Sequence, residues 1–143
     1  MNLIVSIPNI IYLFICSFFF ILFAQSTIDK IQNKKENLEW LNSHFKSSIL
    51  FNFVPFLFFS LTILELISAF FFLINIINIF VDIGFVGYDP MLAFCISMFT
   101  FLSLFFGQRI AKDYEGAKTI AIYFSLNILV IIFILEYVDF NLI

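Results

Sequence analysis

One carboxylate stands where a carboxylate is costly. Glu65 lies inside Pro55 to Leu73 (PFLFFSLTILELISAFFFL), a stretch otherwise apolar apart from Ser, Thr and Pro. A carboxyl group at mid-bilayer depth costs roughly 2.5 to 3.5 kcal/mol on insertion scales, so it is expected to face a protein interior or cavity. At 100° per residue, Thr62, Ser68 and Ala69 lie within about 60° of it, so small and polar groups share its face. Two roles fit that setting: a buried acid that exchanges protons, or a polar group that specifies how helices pack.

Asn127 is the second buried polar candidate. It lies ten residues into the last apolar stretch, which at 1.5 Å per residue brings it to about the depth of Glu65. Thr62 and Thr100 complete this candidate buried polar site. Thr100 also belongs to a stripe of Ser97, Ser103 and Gly107 at helical spacing, a pattern more typical of helix contacts than of binding surfaces.

Other reactive residue types are sparse. Cys16 and Cys95 are isolated in apolar segments with no CxxC, whereas a thiol relay needs neighbouring cysteines that attack and resolve one another. His44 is the single histidine, and no Cys, His and carboxylate cluster has zinc spacing. Neither a resident metal nor a haem is expected, and no cofactor is predicted.

The elements that must position these residues are membrane spans. Of the 143 residues 63% are hydrophobic and 12% charged, with a mean hydropathy of +1.10, far above the roughly 45 to 50% apolar share of soluble domains. The reading is an all-α, single integral membrane domain: a transmembrane four-helix bundle with spans at about 4–24, 55–79, 91–107 and 117–137. The first residues (MNLIVS) lack Lys and Arg and Leu22 is large, so the first apolar stretch is expected to be a span and not a cleaved signal. The 24 Phe are spread over every apolar segment and are expected to face lipid in most positions. A net charge of −3 without a basic cluster excludes nucleic acid as a partner.

Between the first two spans, Leu38, Leu41 and Phe45 recur at i, i+3, i+7 beside Trp40 and His44. That pattern predicts a short amphipathic interfacial helix anchored by Trp40, or equally a helical loop packed under the bundle. Pro55 suits the first turn of the second span. Asn75, Asn78 and Asp82 share one stripe and read best as a polar helix end meeting water. Gly84, Gly87, Asp89 and Pro90 make a turn. Arg109 and Asp113, spaced i, i+4, could pair if helical.

All seven basic residues (Lys30, Lys34, Lys35, Lys46, Arg109, Lys112, Lys118) fall in the first and third loops. The positive-inside rule places those loops in the cytoplasm and both termini on the outer side.

Three segments then fit together: QSTIDKIQNKKENLEWLNSHF after the first span, LTILELISAF in the second, and FGQRIAKDYEGAKTIAIYF at the start of the fourth. From about Phe18 to Leu135 the chain resembles the DoxX-like family of small bacterial four-span membrane proteins, with FGQRIAKDYEGA the most specific part. By position, Gln25, Asp29, Lys30, Glu65, Gln108, Arg109, Lys112, Asp113 and Tyr114 match recurring features of that family. The resemblance implies a four-helix bundle in the bacterial inner membrane, with membrane redox complexes as one setting, and carries over no catalytic set.

Two functions compete. In one, the protein is a non-enzymatic accessory or assembly subunit, with a membrane protein partner or a second copy (a homo-oligomer), whose buried polar groups only specify packing. In the other, it is a quinone-linked redox subunit in which Glu65 exchanges protons near a quinone headgroup. There Gln25, Asp29, Lys30, Gln108, Arg109, Lys112, Asp113 and Tyr114 form a charged cytoplasmic docking or proton-uptake surface. A proton-coupled small-solute carrier is a minor third reading, since the broken-helix signature is absent. The absence of a nucleophile constellation tilts the reading toward the accessory subunit.

Overall fold

The computed structural model describes residues 7–81 and 89–137. Its elements are α1 (Ile7–Gln32), α2 (Lys34–His44), a 3₁₀ turn (Phe51–Phe53), α3 (Val54–Phe80), α4 (Met91–Ile110) and α5 (Tyr114–Tyr137). Helices α1, α3, α4 and α5 are each long and apolar enough to cross a membrane, and together they make a multi-pass transmembrane bundle. Part of the expected first span (residues 4–6), Asp82, Gly84 and Gly87 lie outside the described residues.

The first span runs further than expected. A 26-residue helix is roughly 39 Å long at 1.5 Å per residue, against a hydrocarbon core of about 30 Å. The segment after Ala24 contains no Gly or Pro, so nothing in its backbone chemistry stops the helix at the first polar residue. The break comes at Asn33, where φ is −104° and ψ is 32°. Across that break the Asp29 carboxylate accepts hydrogen bonds from the side-chain amides of Asn33 (2.7 Å) and Asn37 (3.2 Å). Helix α2 forms where the apolar periodicity predicts it, packs against α1 and α3, and leaves Trp40 56% exposed. Pro55 occupies the first turn of α3, where its missing N–H costs nothing.

Packing follows chain order. Helix α1 lies along α3, α3 along α4, and α4 along α5, while α1 and α5 barely meet. Their seam leaves an apolar groove of about 300 Å³ between Phe14, Phe18 and Leu126. The centre is aromatic: Phe19 stacks on Phe72 (5.2 Å), Phe72 meets Phe94 edge to face (5.0 Å), and Phe23 lies 5.1 Å from Phe101. Many other Phe, including Phe14, Phe56, Phe70, Phe99 and Phe106, are exposed on the outer faces. The aromatic excess therefore does two jobs, with these five rings joining α1, α3 and α4.

Asn75 corrects one expectation. It is 1% exposed, and its side-chain amide donates to the Pro90 carbonyl at 3.1 Å, so it ties α3 to the start of α4 instead of meeting water.

Candidate functional site

Glu65 is 2% exposed, and its partner is Lys30. The ammonium nitrogen lies 2.8 Å from Oε1 and 2.7 Å from Oε2, and it also donates to Ser26 Oγ at 2.8 Å. Ser26 in turn donates to Glu65 Oε2 at 3.1 Å. Three residues thus close a triad in which the Lys30 ammonium bridges both carboxylate oxygens and the Ser26 hydroxyl, and the carboxylate receives three charge-compensating or polar contacts.

This arrangement moves Lys30 from the expected outer charged surface into the bundle, where its side chain is 19% exposed. Sequence reasoning missed the pairing because it ended the span at Ala24. The signal was present: Cys16, Phe19, Phe23, Ser26 and Lys30 follow one another at alternating spacings of three and four, so the buried stripe of α1 runs straight through its polar end.

A second polar layer follows one step along α3, where Ser68 and Thr100 hydroxyls meet at 3.2 Å. A third lies one step back along α4. There Asn127, fully buried, donates to Ser97 Oγ (2.7 Å) and to the Phe94 carbonyl (3.2 Å). Two steps of three residues put Asn127 roughly 9 Å further along the bundle axis than Glu65. Glu65 and Asn127 therefore do not share a depth or a common ligand site. Thr100 belongs to the middle layer. Thr62 is half-buried and donates to its own helix at the Phe58 carbonyl (2.7 Å), the usual fate of a helical threonine.

The α4–α5 corner explains the FGQRIAKDYEGA segment. Helix α4 ends at Ile110, and Lys112 adopts a left-handed φ of 62°. Bonds from Lys112 N to the Arg109 carbonyl (3.2 Å) and from Asp113 N to the Gln108 carbonyl (2.9 Å) close the helix in the manner of a left-handed C-cap. Asp113 then opens α5, its Oδ1 accepting the Gly116 N–H at 2.9 Å. A side chain at Gly116 would meet the Asp113 carboxylate and the Gln108 amide, so any other residue there must push both aside. Because the helix ends between them, Arg109 and Asp113 do not form the i, i+4 pair. The Arg109 guanidinium lies over the Tyr114 ring at 4.8 Å, and Asp113 Oδ2 faces His44 Nε2 at 3.7 Å.

Between these two clusters is a cavity of about 530 Å³, within the range of small-molecule sites. Lys30, Trp40, His44, Gln108 and Asp113 line it together with a larger apolar wall that includes Leu61, Phe99 and Phe106. Of the charged-surface candidates, Lys30, Gln108 and Asp113 are brought to this cavity, whereas Gln25, Asp29, Arg109, Lys112 and Tyr114 remain on the outside. Trp40 and His44, whose rings stack at 4.6 Å, join it from α2. Among the described residues, no three His, Cys, Asp or Glu side chains converge as metal ligands would.

Comparison with protein-family models, with curated proteins and with solved structures finds no match for this chain.

Proposed function

We propose that this protein is a DoxX-like, non-enzymatic accessory or assembly subunit of a complex in the bacterial inner membrane. In this reading the Lys30 end of the bundle is cytoplasmic, both termini are outside, and the partner is another membrane protein or a second copy. The observation that carries the reading is the Lys30–Ser26–Glu65 triad. A carboxylate held bidentately by a neighbouring ammonium serves helix packing, as an ion pair inside a low-dielectric bundle must be well satisfied to persist.

The decisive variant removes both charges at once. Lys30→Met with Glu65→Leu takes away the triad's chemistry without stranding a charge. In native membranes it is expected to preserve both assembly of the host complex and its quinol-linked electron transfer. Assembly intact with transfer lost would overturn the proposal in favour of a quinone-linked redox subunit with a proton-exchanging Glu65. That second reading has one observation on its side, the position of Lys30 between Glu65 and a mainly apolar cavity.

A further inference from the structure

The cavity of about 530 Å³ is not required by the accessory role, and it is mainly apolar although polar residues border it. Those polar groups are committed elsewhere. Lys30 is held by Glu65 and Ser26, and Asn37 donates to the Asp29 carboxylate at 3.2 Å. Ser103 donates to the Phe99 carbonyl of its own helix at 2.9 Å, and Asp113 caps α5. His44 Nε2 and Gln108 Oε1 are too deeply buried to meet an occupant. Water, which needs about two to four polar partners to stay ordered, is poorly served by such a wall. A hydrocarbon chain needs none.

Size and position indicate which hydrocarbon. Trp40 and Leu41 of α2 roof the space, while Leu61 and Leu64 of α3 and Phe99 and Phe106 of α4 wall it. Phe99 and Phe106 are also exposed on the outer face of α4, a membrane-spanning helix, so that side opens toward lipid. A helix of a second copy, about 10 to 12 Å across with its side chains, is too wide for this volume under the α2 roof, whereas a linear chain is not. We propose that the cavity holds one acyl chain of a bilayer phospholipid, drawn in past Phe99 and Phe106 from the leaflet on the Lys30 side, with its headgroup left outside. Hydrophobicity does not favour the cavity over the bilayer, since both are apolar. Dispersion contact does, because an empty wall forfeits it and a threaded chain restores it. The site therefore selects the chain and not the headgroup.

The full chain would be reconstituted with palmitoyl-oleoyl phosphatidylcholine or, separately, with phosphatidylglycerol carrying the same chains. It would then be moved into a steroid-based detergent, which has no linear chain to compete, and weighed by native mass spectrometry. One phospholipid per protein chain is expected to stay bound, and the two lipids should be retained alike. Leu61→Phe and Ser103→Phe fill the cavity, and each is expected to lower that occupancy by about tenfold. Leu66→Phe adds the same bulk on an exposed face of α3 outside the cavity and should leave it unchanged. Equal retention by all four proteins would overturn the proposal, and so would a wild type that holds no phospholipid or forms a lipid-free dimer. Retention of phosphatidylglycerol alone would overturn it as well, since a headgroup would then be what the site reads. Circular dichroism melts confirm folding. Should both filling variants fail to fold, the wild type decides, because absent or headgroup-selective retention overturns the proposal without them.

Discussion

Asp113 donates its backbone N–H to the Gln108 carbonyl at 2.9 Å, and Lys112 between them is held at a φ of 62°. A left-handed conformation at a residue with a Cβ costs roughly 1 to 2 kcal/mol, and glycine escapes that penalty. Lys112→Gly is therefore expected to stabilise the protein by about 1 kcal/mol. A higher thermal midpoint in detergent would bear this out, and an unchanged or lower one would show that the corner closes differently.

The other side of the corner predicts the reverse. Gly116→Ala places a methyl group against the Asp113 carboxylate and the Gln108 amide and must displace the cap of α5. The expected loss is about 1 to 2 kcal/mol, the range for a broken N-cap. Asp113→Ala should cost a similar amount, and the double variant should cost little more than either alone. Additive losses would mean that the two residues do not act through one contact.

Breaking the triad from one side should be costly. Glu65→Gln leaves the Lys30 ammonium partly buried without its counter-charge, and about 3 kcal/mol is the expected penalty. The paired Lys30→Met, Glu65→Leu substitution should restore most of it. Equal stability of the wild type and Glu65→Gln would argue that Lys30 escapes to water and that the pair is not part of the packed bundle.

Asn127 and Ser97 offer a test deeper in the bundle. A double-mutant cycle with Asn127→Leu and Ser97→Ala should give a coupling of about 0.6 kcal/mol or more, the average for side-chain hydrogen bonds between helices in membranes, where the largest reach about 1.7. Zero coupling would remove the 2.7 Å contact from the account of how α4 holds α5.

The four spans were legible because continuous apolar stretches of this length have few alternatives, and α2 was legible because Leu38, Leu41 and Phe45 keep a helical period. Glu65 was correctly read as inward-facing, since the cost of exposing it to lipid leaves no cheaper solution. Its partner was not legible from polarity alone. Lys30 belongs to a charged segment, and only the continuation of the Cys16, Phe19 and Phe23 stripe through Ser26 would have turned it inward. The relative depth of Asn127 failed for a related reason. Counting residues from a span's edge assumes that the helix starts there and that helix ends lie level, whereas α5 begins at Tyr114, three residues before the expected boundary, which accounts for about half of the offset. The corner residues Gln108 and Asp113 could not be placed on the cavity from sequence, because that depends on where α2 lands across the end of α3.

The Lys30–Glu65 pair also bears on how the chain is made. Translation supplies α1 before α3, so a cation stands at the edge of the bilayer before its counter-charge has been synthesised. When α3 emerges, Glu65 faces an insertion cost of roughly 2.5 to 3.5 kcal/mol if it enters lipid alone, and much less if α1 is still beside the insertion machinery. The same bond that satisfies two charges in the finished protein thus lowers the cost of inserting the second span whenever the first is still beside it.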